Sequence, residues 1–108
     1  MVRIIDKQEL LEILESKQNF LLLDVRDTPD YNEGHIKTAR HLLISQIENK
    51  INTMAKKDDL IITYSKDIDC PASGIAAEKI TELGFKNVLR YKGGWKEWKD
   101  AKLQIEKS

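Results

Sequence analysis

The stretch Leu60 to Ala77, LIITYSKDIDCPASGIAA, decides how the rest of the chain is read. Leu60, Ile61, Ile62, Thr63 and Tyr64 are an unbroken row of β-formers, the pattern of a strand covered on both faces. From Ile75 the series Ile75, Ala76, Lys79, Ile80, Leu83 recurs at three- and four-residue steps, which predicts a helix. Between them lies a polar loop, Ser65, Lys66, Asp67, Ile68, Asp69, Cys70, Pro71, Ala72, Ser73 and Gly74. A loop that leaves the carboxyl end of a parallel strand and enters a helix is where open α/β sheets hold ligands, because free amides and the helix dipole converge there. Ser65 follows the strand directly, and the one cysteine of the chain, Cys70, comes five residues later.

Upstream of this stretch, Arg3-Ile4-Ile5 reads as a short strand, and Asp6 with Glu9 has the spacing of a capping box for a helix carrying Leu10, Leu11, Ile13 and Leu14. Phe20 to Leu23 reads as a central strand, with Asp24-Val25-Arg26 at its carboxyl end. Thr28-Pro29-Asp30 reads as a helix start, Thr28 supplying the cap hydroxyl and Pro29 the first helical position, and Gly34 as its stop. Ala39 to Leu42 is a further short strand, and Ile44, Ile47 and Ile51 share one face of a helix over Ser45 to Met54. Downstream, Gly84 ends the helix that starts near Pro71, Phe85 to Arg90 is a last strand, Lys92-Gly93-Gly94 is a turn, and Trp95 and Trp98 anchor a terminal helix. Strands alternating with helices predict an α/β fold, a parallel sheet with helices on both faces.

At 108 residues, 41% apolar and 33% charged, the chain is expected to form a single domain over residues 1–108 with one core. Its longest apolar runs are too short to cross a bilayer, which argues against a membrane role, and no secretory pattern is read at the start, so a cytoplasmic location is expected. Eighteen basic and eighteen acidic side chains cancel, and no basic stripe stands out, which argues against nucleic acid as a partner. A single cysteine forms no internal disulfide. His35, His41 and Cys70 have no metal-ligand spacing, and no metal or cofactor is expected.

Three segments, in this order, resemble the rhodanese-like family of sulfurtransferase domains. They are Asp24-Val25-Arg26 with Asp30-Tyr31 and Gly34-His35-Ile36; the strand, loop and Ala76-Ala77 helix running into Leu83-Gly84-Phe85-Lys86-Asn87-Val88; and Gly93-Gly94-Trp95 with Trp98. The resemblance implies a small parallel five-stranded sheet, a sulfur-containing small substrate or thiol acceptor as partner, and room for a protein partner. It also implies that the residue after the strand is a cysteine whose sulfur lies in a bowl of backbone amides. Here that position is Ser65, whose hydroxyl stays protonated and cannot hold a persulfide. The loop is longer than the common form, an arginine often found late in it is missing, and Thr38 stands where glycine is usual. Cys70 matches a second cysteine found in longer-loop variants of the family, and Asp67 and Asp69 give the rim an acidic character that disfavours anionic substrates.

Two readings of function follow. In the first, Cys70 carries sulfane sulfur; a helix start lowers its thiol pKa, whereas Asp69 beside it raises it. In the second, the domain is a catalytically silent binding or regulatory module, Ser65 having replaced the nucleophile and Cys70 being a small packing residue. Ser65 as a hydrolytic nucleophile with His35 or His41 as base, and a phosphatase-type loop, are further readings, but no nucleophile elbow or bracketing cysteine and arginine supports them. Asp24 and Arg26, near the loop mouth, read first as a buried ion pair supporting the loop and second as substrate contacts.

Overall fold

The computed structural model describes residues 2–107; Met1 and Ser108, the ends of the expected domain span, lie outside the described residues. In chain order the elements are β1 (Arg3–Ile5), α1 (Lys7–Glu15), β2 (Leu21–Asp24), α2 (Thr28–Glu33), β3 (His35–Ile36), β4 (Arg40–His41), a 3-10 turn (Ile44–Gln46), α3 (Ile47–Met54), β5 (Leu60–Tyr64), α4 (Ala72–Glu82), β6 (Asn87–Tyr91), α5 (Gly94–Asp100) and β7 (Ile105–Glu106). Five strands form one parallel sheet in the order β1-β6-β5-β2-β4. The α/β architecture expected from the alternating elements is therefore present, with β5 at its centre.

Period-two geometry sends alternate residues of β2, β5 and β6 to opposite faces, and both faces are covered. Leu21, Leu23, Ile61 and Val88 pack against Ile47 and Ile51 of α3 and Ala76, Ala77 and Ile80 of α4. Leu22, Ile62, Tyr64, Leu89 and Tyr91 pack on the other side with Leu10 of α1 and Trp98 of α5. Helices this short are marginal alone, so burial of these faces holds them. The capping box read at Asp6 forms in full, Asp6 Oδ1 accepting from the Glu9 amide at 2.8 Å and Glu9 Oε1 accepting from the Asp6 amide at 3.1 Å.

Several local expectations change. Asp27, not Thr28, occupies the N-cap of α2, and no side chain caps that end. Gly34 does end α2, but its φ of 171° is extended backbone that any residue adopts. Its reason is space: a Cβ there would lie 3.0 Å from Cη2 of Trp95. β2 starts one residue later than read and includes Asp24. A second, two-stranded antiparallel sheet of β3 and β7 pairs His35 with Glu106 and Ile36 with Ile105. Two-residue strands carry too little pattern to be read from sequence.

At the carboxyl edge of the main sheet, strand register aligns Ile5, Tyr91, Tyr64, Asp24 and His41 in a row. The loop after β5 leaves from the middle of that row.

Thr38, noted above at a glycine position, has φ +73°, and its amide donates to Glu106 Oε1 at 2.8 Å. A β-branched residue is strained in the left-handed region. Thr38→Gly is expected to raise stability by about 1 kcal/mol, relief of strain outweighing the added freedom of the unfolded chain. Urea denaturation of the two proteins checks this; an unchanged or lower midpoint would contradict it.

Candidate functional site

The floor of the site is a buried polar network at the end of β2. Asp24 is fully buried and accepts from Arg26 Nη2 at 2.8 Å, from Arg26 Nε at 3.1 Å and from the Arg26 amide at 2.9 Å. Tyr64 completes it, its hydroxyl donating to Asp24 Oδ2 at 2.6 Å and accepting from the Ile36 amide at 3.1 Å. Burial, reinforced by the Asp24 carboxylate, pushes the Tyr64 phenol well up, so it remains a donor. The ion pair read at Asp24 and Arg26 is present. Arg26 also donates to Gly34 O at 2.6 Å and lies over the Trp95 ring, 4.8 Å from its centroid.

The loop after β5 is pinned at both ends. At its start, the first amides of α5 donate back to it: Trp95 N to Ser65 O at 2.8 Å and Lys96 N to Lys66 O at 2.9 Å. This approach requires Gly94, whose φ is +74° and where a Cβ would fall 2.7 Å from Ser65 O. The middle is a tight turn in which Cys70 N donates to Asp67 O at 3.1 Å and Asp69 N to Asp67 Oδ1 at 3.0 Å. At its end, Thr63 Oγ1 donates to Ser73 O at 2.8 Å, and Arg90 Nε donates to Ser73 Oγ at 2.9 Å.

This path turns the Cys70 side chain back into the loop. Its Sγ lies 3.1 Å from Oγ of Ser65, which is buried. Burial alone would raise the thiol pKa, and the nearby Asp67 carboxylate acts in the same direction. Hydrogen bonds from the Ser65 hydroxyl and from the Ala72 and Lys66 amides outweigh both, and the thiol lies below its ordinary value. The acid that bears on the thiol is thus Asp67, not Asp69 as the sequence suggests; Asp69 is exposed. Ile68 and Pro71 are exposed on the rim, Ser73 is buried, and Ala72 and Gly74 form the first turn of α4.

Neither histidine approaches Ser65 by a hydrogen bond. His35 gives its Nδ1 proton to Tyr31 O at 2.8 Å and His41 its Nε2 proton to Arg26 O at 2.6 Å, since a carbonyl can only accept. His35 also stacks on Tyr31 at 3.8 Å. Both are structural, and the hydrolytic triad does not form. Among the described residues no cluster of three or more His, Cys, Asp or Glu side chains could hold a metal ion, and no helix is long and apolar enough to cross a membrane.

Beside the loop, a cleft of about 490 Å³ runs between α2, α5 and β7, lined by Arg26, Asp30, Glu33, Lys66, Trp95 and Lys99 among others. It reaches the loop at Lys66. Three contributors escape the sequence reading: Tyr64, read only as a strand residue; Gly94, read only as a turn; and Arg90. Arg90 is two residues from the buried Val88, so alternation alone puts it on the face covered by α4, an unusual place for an arginine.

The chain belongs to the rhodanese-like family: the model of the rhodanese-like domain matches residues 6–101. Among its relatives is the thiosulfate sulfurtransferase GlpE of Coxiella burnetii, 30% identical over 86 residues that cover 80% of this chain and 78% of that protein. A mitochondrial relative in Schizosaccharomyces pombe is 29% identical over 90 residues, covering 74% of this chain and 63% of that protein. The solution structure of the rhodanese-like domain of the Alr3790 protein from Anabaena superimposes with a TM-score of 0.87 at 28% identity, covering 100% of this chain and 81% of that one.

Because the Ser65 hydroxyl donates to the charged form of the thiol, its removal favours the protonated form and raises the pKa. The pH midpoint for alkylation of Cys70 by iodoacetamide is expected below that of an ordinary cysteine thiol in the native protein and about one unit higher in Ser65→Ala. Equal midpoints would contradict the contact.

Proposed function

We propose that the domain carries sulfane sulfur on Cys70, with Ser65 serving as hydrogen-bond donor where the family's nucleophile usually stands. The observation that supports this most is the 3.1 Å contact between Cys70 Sγ and Ser65 Oγ. Through it a thiol from the middle of the loop reaches the loop floor, together with the Lys66 and Ala72 amides. The thiosulfate sulfurtransferase activity named for the Coxiella relative supports thiosulfate as the donor to test.

The chemistry is two displacements. The Cys70 thiolate attacks the outer sulfur of thiosulfate; the Sγ–S bond forms, the bond to the second sulfur breaks, and sulfite leaves with the electron pair. An acceptor thiolate then takes the outer sulfur, and the pair of the Sγ–S bond returns to Cys70. The amides and the Ser65 hydroxyl stabilise the anionic sulfur at the start and end of each turnover. An anionic donor entering from the cleft would meet Lys66 and Lys99, which offset the acidic turn. No bound group is needed for either step, and the protein would act in a reducing compartment such as the cytoplasm.

Ser65 at the usual nucleophile position favours a second reading, a silent binding or regulatory module. Intact mass spectrometry separates the two. After incubation with thiosulfate, the native protein is expected to gain one sulfur atom that reductant removes, and Cys70→Ser to gain none. Native protein that takes up no sulfur, or Cys70→Ser that takes up as much, would refute carriage on Cys70.

A further inference from the structure

The position of Cys70 depends on a side chain outside the loop. Arg90, on β6, reaches under the start of α4, where Nε donates to Ser73 Oγ at 2.9 Å and Nη2 donates to the carbonyl oxygen of Cys70 itself at 3.3 Å. One planar guanidinium thus spans the residue bearing the thiol and the first turn of the helix whose Ala72 amide faces the sulfur. Space for it exists because residue 74 is glycine: a Cβ there would lie 3.0 Å from Arg90 Cζ and 3.0 Å from Nη1. Gly74 has no left-handed φ and sits inside α4, so its backbone conformation does not call for glycine. Among the described residues no carboxylate forms a salt bridge with Arg90, and its side-chain hydrogen bonds go to the loop and the helix start.

We infer that Arg90 is the positioning residue of the sulfur site: its guanidinium fixes the Cys70 carbonyl relative to α4 and so holds the thiol against Ser65 and the loop amides. The inference deepens the carrier reading and rests on it for its significance. It acts through geometry, not charge. Losing the fork lets the Cys70–Pro71 peptide rotate, and the thiol then swings away from its donors.

The test is the pH profile of Cys70 alkylation by iodoacetamide in the full chain, with thermal unfolding followed in parallel, for Arg90→Met, Arg90→Lys and Gly74→Ala. Arg90→Lys keeps the charge but not the two-point fork, and Gly74→Ala keeps the arginine but crowds it off the helix. All three are expected to move the midpoint upward by about one pH unit. Gly74→Ala should do so without loss of thermal stability, because alanine is the better helix former. A merely structural arginine would lower stability in Arg90→Met and leave the Gly74→Ala profile unmoved. An unshifted Gly74→Ala profile, or full rescue by Arg90→Lys, overturns the inference; if Arg90→Met fails to fold, Gly74→Ala still decides it. Sulfur loading is read separately by mass. Shifted profiles in a protein that takes no sulfur count against the carrier reading alone, and unshifted profiles in a protein that loads normally count against Arg90 alone.

Discussion

A thiol brought within 3.1 Å of a buried serine hydroxyl is the contact on which the rest of this molecule bears. It exists only because a ten-residue loop is held at both ends. The loop begins under the first amides of α5 and finishes against Thr63 of β5 and Arg90 of β6, both outside the loop in the sequence. The turn between them, closed by Cys70 N on Asp67 O, leaves the cysteine one direction to point. The consequence is electrostatic: three donors meet one sulfur, enough to outweigh its burial and the Asp67 charge.

The sheet beneath supplies rigidity. Asp24, Arg26 and Tyr64 are buried at the carboxyl edge, and among the described residues no fully buried side-chain nitrogen or oxygen lacks a hydrogen-bond partner. A buried pair of this kind contributes little net stability, because desolvation offsets most of the attraction, but removing one member leaves an uncompensated charge. Its effect is to fix orientation. Arg26 joins β2 to the end of α2 through Gly34 O and stacks its guanidinium on the ring of Trp95 of α5. The helix that pins the start of the loop is thereby tied to the strand beside it.

Much of this was legible in the residues. The continuous apolar row of β5 and the three-four spacing of α4 announce a covered strand and its helix, and the row Ile61, Ile62, Thr63, Tyr64 is indeed buried throughout. The Asp6 and Glu9 pair states its own capping geometry. The direction of the Cys70 side chain was not legible, because it follows from a loop held in place by residues 20 or more positions away, such as Arg90 and Trp95. Gly34 and Gly74 look like turn or cap residues in sequence, yet each is small so that a large side chain from another element can pass. Close approaches between distant segments leave no local pattern. The missing loop arginine is a related case: a guanidinium does reach the loop, but from a neighbouring strand.

The convergence of main-chain donors on Cys70 can be observed without any substrate. In 15N–1H correlation spectra recorded across pH, the amides of Lys66 and Ala72 should move together with a single midpoint below that of an ordinary cysteine thiol, and the movement should vanish in Cys70→Ser. Amides that do not respond to the thiol, or that follow it only at or above the ordinary value, would mean that the sulfur does not lie in the loop floor.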